Sequence, residues 1–434
     1  MVGAKVSELK VRRSVSPLVR NAIALMVSSM GSAGIGIVFW AVAAHQVSVG
    51  NIGRASAELS AMSLLASLAS LSLGSTFIRF LPVSGDRTLQ FVARSYGVCT
   101  AAALILSSAY VAAGLGHRFL PTGFASSALF VVVVVFWVVF VLQDNALTGL
   151  RATKWVPVEN VLFGIAKLAL LPLFIVLVPK QGIFLAWSTP VFIAVALVTR
   201  YLFRTLIPEH ESASRGRSLL PSGKEIASVL AAQGATQLVG IISTMLMPLI
   251  VISRLGATAN GHFYLPWTIT VSFSSLIWSV VASFLVEAAH DPSTMRLHVD
   301  RTVRLTLLIV VPGVAVGVAL APDLLRVFGA TYAEHGTTLL RLLIVGFPGT
   351  AVTSFFTSFL WLERRMWMLT YRQLAQATIF LGTTLLLIGH FGLLAVGIAS
   401  LMTEVLQAVI FLPGAIGRYR MVHSETGWKA REVR

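Results

Sequence analysis

The chain has 434 residues, of which 56% are apolar and only 12% are Asp, Glu, Lys or Arg, about half the charged share of soluble domains. That composition excludes an ordinary soluble globular fold. The 33 Lys and Arg against 17 Asp and Glu give a net charge of +16, but the basic residues fall between long apolar runs, so the charge reports membrane orientation before it reports nucleic acid.

Runs of about 20 apolar residues, the length that carries a helix across ~30 Å of hydrocarbon, recur along nearly the whole chain. Twelve such runs lie near 21–44, 55–77, 93–116, 126–148, 156–178, 182–204, 225–251, 262–288, 302–321, 337–361, 371–389 and 393–416. The first follows a basic stretch, Lys5 to Arg20, that looks like the start of a signal peptide. Its apolar part is too long for a cleaved one, so it reads as a retained span. The single cysteine, Cys99, sits inside an apolar run and can build neither a disulfide framework nor a thiolate metal cluster.

Alternation of charge tests the number of spans, because one missed helix would mix Lys and Arg between the two sides. With basic residues at span edges counted in the adjoining connection, Arg372 among them, segments assigned to one side hold 26 of the 33, the opposite segments hold six, and Lys167 remains inside a span. The expected topology has both termini in the cytoplasm: a basic N-tail (1–20), a six-helix lobe (21–204), a polar linker (205–224), a second six-helix lobe (225–416) and a basic C-tail (417–434). Outer connections are short, which leaves no room for an extracytoplasmic catalytic domain.

The two lobes resemble each other at an offset of about 204 to 213 residues. Ser28, Ser32 and Gly36 make a face of small residues in the first span, and Ala232, Thr236 and Gly240 do so in the seventh. Asn51 and Gly53 lead into span two as Asn260 and Gly261 lead into span eight. Leu147, Arg151 and Trp155 are matched after span ten by Leu360, Arg364 and Trp367. An even number of spans per lobe makes the repeat parallel, with its pseudo-two-fold axis along the membrane normal, an architecture of transporters. The expected fold is therefore an all-α polytopic membrane protein of twelve transmembrane helices in two related lobes.

Ionisable residues within spans are costly and mark cavities or partners. In span two the serines from Ser56 to Ser70 gather on one side, while Arg54, Glu58, Ser72, Thr76 and Arg79 gather on the other, a candidate wet face. Arg54, Glu58 and Arg79 could equally reach the headgroups. In span five Asn160 and Lys167 point the same way with Gly164 between them. Lys167 is the deepest basic residue; it either pairs with an acid such as Asp144, Glu159 or Glu404, or receives an anion in a central cavity. Asp144 in span four and Glu404 in span twelve are candidates for a coupling proton or cation, or else buried hydrogen-bonding groups. Gln233 and Gln237 read as packing amides. The sequence has no HExxH, no P-loop and no loop able to hold an ATPase domain, so no cofactor is implied and transport would draw on an ion gradient, the membrane potential or the substrate's own gradient.

Three stretches, NAIALMVSSMGSAGIGIVFWAVAA, VGNIGRASAELSAMSLLASLASLSLGSTFIRFLP and LQDNALTGLRATKWVPVENVLFGIAKLALLP, carry a resemblance to the polysaccharide-transporter (O-antigen flippase) family of the multidrug/oligosaccharidyl-lipid/polysaccharide exporter superfamily. The resemblance implies a V-shaped pair of lobes that alternates between inward-open and outward-open forms in the bacterial cytoplasmic membrane. Its implied substrate is a lipid-linked oligosaccharide, moved to the outer leaflet for cell-surface polysaccharide synthesis. Cationic residues in the cavity of such proteins meet the pyrophosphate and sugar, a role that falls here on Lys167, helped by Arg79 or Arg151 at the entrance. The candidate substrate-binding set is Lys167, Asn160, Arg79, Arg151 and Glu58, with Asp144 and Glu404 for the coupling ion. Membrane lipids, a polysaccharide polymerase and glycosyltransferases are the implied partners, and nucleic acid is not.

Three rivals remain. A multidrug and toxin extrusion antiporter shares the fold and would want cavity acids, for which Glu58 and Asp144 are available. A major facilitator is matched only by the fragment Gly85, Asp86, Arg87. A membrane glycosyltransferase would need Asp144, Glu159 and Arg151 as catalytic groups, yet no outer loop could position an acceptor, so an enzyme is not expected.

Overall fold

The computed structural model describes residues 31, 34–70, 73–214, 216–290 and 294–424. These form helices and turns, with no strand among them. The first half of the chain supplies α1 (Gly34–Gln46), α2 (Val49–Ser70), α3 (Leu73–Phe80), α4 (Thr88–Ala112), α5 (Phe124–Gly149), α6 (Trp155–Leu177), α7 (Gly182–Tyr201) and α8 (Ile207–Ala213). The second supplies α9 (Gly223–Leu255), α10 (Ala257–His290), α11 (Met295–Arg326), α12 (Ala330–Val345), α13 (Phe347–Leu362), α14 (Met366–Phe391) and α15 (Leu394–His423).

Ten helical segments among the described residues are long and apolar enough to cross a bilayer, with α12 and α13 together making one of them. An eleventh forms if the bent pair α2 and α3 is one span. The chain is thus a multi-pass membrane protein. Helix α1 is apolar but shorter; apart from Gly31, the part of the expected first span before Gly34 lies outside the described residues, as do Ser28 and Ser32. The side chains of Ala232, Gln233, Thr236 and Gln237 lie outside them too.

Local chemistry fixes several helix ends. Ser222 and Glu225 make a reciprocal capping box that starts α9, each side chain bonding the other's backbone N–H. Helices α5 and α13 end in the same way. At the first, the Ala152 N–H donates to the Leu147 carbonyl at 2.8 Å and Arg151 adopts φ 60°. At the second, the Arg365 N–H donates to the Leu360 carbonyl at 2.9 Å and Arg364 adopts φ 55°. Both are left-handed turns that satisfy terminal carbonyls, here built with arginine where glycine is usual.

Helix α7 runs through a π-helical turn (Leu202–Leu206) into α8, so the polar segment IPEHESA is helical. It docks on the first half: Glu211 accepts from the Leu89 N–H at 2.8 Å, and the Leu219 N–H donates to Val83 O at 3.0 Å. This side of the molecule is termed the linker end. At the far end the halves meet where α2 and α10 begin. A Cβ on Gly53 would strike the Ala257 carbonyl, and one on Gly261 would strike the Val49 carbonyl. The contact is reciprocal, because Val49 and Ala257 stand 208 residues apart, as do Gly53 and Gly261. The Asn260 amide donates across it to Gly53 O at 2.7 Å and Ser56 Oγ at 3.0 Å. Also at the far end, His45 bonds Val327 O at 3.0 Å and Arg118 donates to Ser253 O. The main buried cluster continues through this junction, from Phe39, Trp40 and Ile52 to Leu265, Leu325 and Tyr332.

Candidate substrate pathway

Lys167 lies on α6 and is 5% exposed. Its Nζ stands 3.5 Å from the centre of the Trp187 ring, 5.1 Å from Phe163 and 5.3 Å from Phe39. Helices α1, α6 and α7 each supply one wall of this cage. Trp40, edge-on to Tyr264 of α10 at 4.8 Å, joins the aromatic group to the second half. Among the described residues no carboxylate lies within ion-pair distance of Lys167. Each such ring face attracts a desolvated cation by about 2 kcal/mol, which is less than the several kcal/mol that burying an ion costs.

Asn160 takes a different course. Its Nδ2 donates to Asp144 Oδ2 at 3.1 Å and to Val156 O at 3.0 Å, so it serves Asp144 on α5. Buried Glu159 is close enough to interact electrostatically with Asp144, and the Tyr96 phenol interacts with both. Asp144 Oδ1, both Glu159 carboxylate oxygens and the Tyr96 hydroxyl are buried without a hydrogen-bond partner among the described residues. Two acids and a phenol with open valences can take a proton or small cation. The sequence identified Asp144 and Glu159 separately; Tyr96 carried no signal.

The other candidates fall elsewhere. Glu58 is 2% exposed on α2, with exposed Arg54 as the charge acting on it. Arg79 is exposed at the linker end, its guanidinium 5.3 Å from the Phe80 ring centre. Arg151 is also exposed there and lines a cavity with Arg217 and His210. Both sit outside the interior rather than beside Lys167.

In the second half, Glu404 lines two chambers of about 410 and 430 Å³ that share Trp278, Thr350, Gln373 and Gln376. Arg372, which charge alternation assigned to a connection, is the seventh residue of α14 and lines the second chamber. Its guanidinium donates to Gln407 Oε1 at 2.8 Å and Gln376 Oε1 at 3.0 Å. The cavity mixes aromatic walls with amides, hydroxyls and one charge of each sign.

No protein-family model matches the sequence, and no curated protein is detectably similar to it. Solved structures are similar in shape over nearly the whole chain. An inward-facing multidrug resistance MATE family transporter of the MOP superfamily aligns with 17% identity and a TM-score of 0.61, covering 94% of this chain and 100% of the other. The MATE multidrug transporter DinF-BH, solved as a complex, gives 17% and 0.63, covering 93% and 96%. An outward-facing MATE family transporter gives 14% and 0.58, covering 93% and 96%. The fold is that of the MATE transporters. At these identities the likeness fixes the MATE fold and leaves cargo and coupling to the chain's own residues.

Proposed function

We propose that the chain is an alternating-access transporter that moves the head of a lipid-linked oligosaccharide from the cytoplasmic to the outer leaflet. The observation that carries this reading is the buried Lys167 amine, held on three ring faces with no fixed counter-ion among the described residues. A cation so placed is left for an anion that arrives with the substrate, such as a pyrophosphate, and the low dielectric strengthens the attraction. A glycan head cannot cross hydrocarbon unaided, since each unpaired polar group costs several kcal/mol, so a polar cleft supplies the route.

In this reading residues 21–204 and 225–416 are two six-helix lobes joined by 205–224. The reciprocal contact of Gly53 and Gly261 and the matched turns at Arg151 and Arg364 support a parallel repeat. The uneven Lys and Arg distribution puts the linker end and both termini in the cytoplasm. The contacts of Asn260, His45 and Arg118 then close the outer side. Arg79 and Arg151 gather anionic headgroups at the cytoplasmic entrance, Glu58 and Asn160 belong to the polar lining, and Asp144 and Glu404 are the sites for a coupling ion.

The testing experiment resolves isoprenoid-linked glycans by leaflet, using an impermeant label, in cells with and without the gene. Accumulation of complete lipid-linked oligosaccharide in the inner leaflet on deletion is the expected result; an unchanged distribution rejects the reading. A second reading, a cation-coupled drug antiporter, is favoured by the open valences of Asp144 and Glu159. It expects deletion to lower resistance to organic cations while leaving the glycans unchanged.

A further inference from the structure

We infer that the two-chambered cavity of the second half, walled by Trp278 and floored by Arg372, Gln373 and Glu404, is a saccharide-binding subsite. The inference rests on the reading of the chain as a carrier of lipid-linked glycan and names where the sugar, as distinct from the phosphate, is held.

Four side chains on this cavity carry buried polar atoms with no hydrogen-bond partner among the described residues: Thr357 Oγ1, Arg372 Nε, Gln373 Oε1 and Glu404 Oε2. A fifth, Gln407 Nε2, belongs to the amide that holds Arg372. Unsatisfied buried groups each cost about 1–3 kcal/mol, so four along one cavity call for a partner within it. Their chemistry is mixed. Arg372 Nε and Gln407 Nε2 can only donate, Gln373 Oε1 and Glu404 Oε2 accept, and Thr357 does both. A pyrophosphate diester offers acceptors only, and an organic cation offers no acceptor for the arginine. Sugar hydroxyls donate and accept together, and they suit all four groups that line the cavity.

The walls fit the same ligand. Trp278 borders both chambers and is 43% exposed, so much of its surface is uncovered by protein beside them. The apolar C–H face of a pyranose lies on such a ring while its hydroxyls reach the polar floor. Trp267, in contrast, is stacked on Phe380 with its plane tilted by 7°, and acts as fixed wall. Each chamber has the size of a small-molecule site, roughly 300–1,000 Å³. Glu404 packs against Gly349, where a Cβ would come within 2.6 Å of the Glu404 carbonyl oxygen, so its position is set by close helix contact. This assignment takes Glu404 from the coupling-ion sites proposed above and gives it to the glycan, leaving Asp144 with the coupling role.

The test uses purified full-length protein and, as probe, short oligosaccharides released by mild acid from the surface polysaccharide of the source cells, with ethidium as a competing organic cation. Saturable quenching of tryptophan emission by the oligosaccharides is expected, weakened about tenfold or more by Trp278→Ala and by Gln373→Ala. Trp278→Phe, which keeps a ring face, restores binding and shows that the alanine variant fails for want of stacking rather than of folding. Lys167→Ala keeps oligosaccharide binding, because the probe has no pyrophosphate. Oligosaccharide binding unaffected by Trp278→Ala and Gln373→Ala overturns the subsite, as does quenching by ethidium alone. If deletion leaves the leaflet distribution of lipid-linked glycan unchanged, the parent reading falls. If export needs Lys167 but proceeds at wild-type rates in both cavity variants, only the subsite falls.

Discussion

Asn260 reaches from α10 to the Gly53 carbonyl of α2 at 2.7 Å, and it does so at the point where Gly53 and Gly261 let two backbones touch. Neither side of the contact tolerates a methyl group, because a Cβ at either position meets a carbonyl oxygen of the other helix. Gly53→Ala and Gly261→Ala are therefore expected to lower thermal stability to a similar extent, by overpacking of about 1–3 kcal/mol. Fluorescence-detected melting of the two variants checks it. A large loss in one and none in the other would break the reciprocity.

Asn260→Ala removes two hydrogen bonds from a fully buried amide and is expected to destabilise by about 1–3 kcal/mol. The same melting measurement applies. Cysteine crosslinking between residues 45 and 327 in this variant is expected to fall, as the far-end junction loosens.

Lys167→Ala should abolish export while leaving expression and membrane insertion intact, and Trp187→Leu should weaken export by removing the nearest ring face. Leaflet-resolved mass spectrometry of the glycan pool reads both. Full activity of Lys167→Ala would remove the residue from the pathway.

Asn160→Leu leaves Asp144 without its amide donor, and Asp144→Asn removes the acid itself. If this cluster couples transport to an ion, Asp144→Asn transports independently of the imposed proton or sodium gradient in vesicles, and Asn160→Leu shifts the gradient needed for half-maximal rate. Unaltered gradient dependence in both would place coupling elsewhere.

Glu363 receives a two-pronged pair from Arg418, Nε to Oε1 at 3.0 Å and a terminal nitrogen to Oε2 at 3.1 Å, with the guanidinium 4.5 Å from the Phe356 ring centre. Both side chains are mostly shielded, so Glu363→Gln is expected to lower stability by about 1.5–3 kcal/mol. Thermal melting at low and at high salt checks it; a loss that vanishes in salt would mark an exposed, screened pair instead.

Helix positions were legible because hydropathy and charge report directly on burial in lipid, as the long apolar α5 and α6 show. Where helices run past the apolar stretches, the extensions are polar. The segment ATYAEHG opens α12, and IPEHESA extends α7, since tertiary docking rather than apolarity holds them. The site was half legible. Lys167, Asp144 and Glu404 stand out in a sequence as ionisable residues among apolar ones, but the ring faces around Lys167 come from three helices, and no spacing reveals that Phe39 and Trp187 converge. Arg372 was hidden for the opposite reason. It lies near a helix start, where a basic residue reads as a topology marker, and only the surrounding Gln376 and Gln407 show that it points inward.

The arginine turns after α5 and α13 separate two properties that usually travel together. A left-handed residue with a Cβ costs roughly 1–2 kcal/mol that glycine does not, so Arg151→Gly and Arg364→Gly would make a sturdier backbone. In the proposed topology each replacement would also delete a charge from the cytoplasmic face, whose basic residues favour the direction of insertion. A chain carrying both glycines would thus be harder to unfold yet easier to thread upside down, and the mildly strained turns record which of those hazards weighs more on a protein made in a membrane.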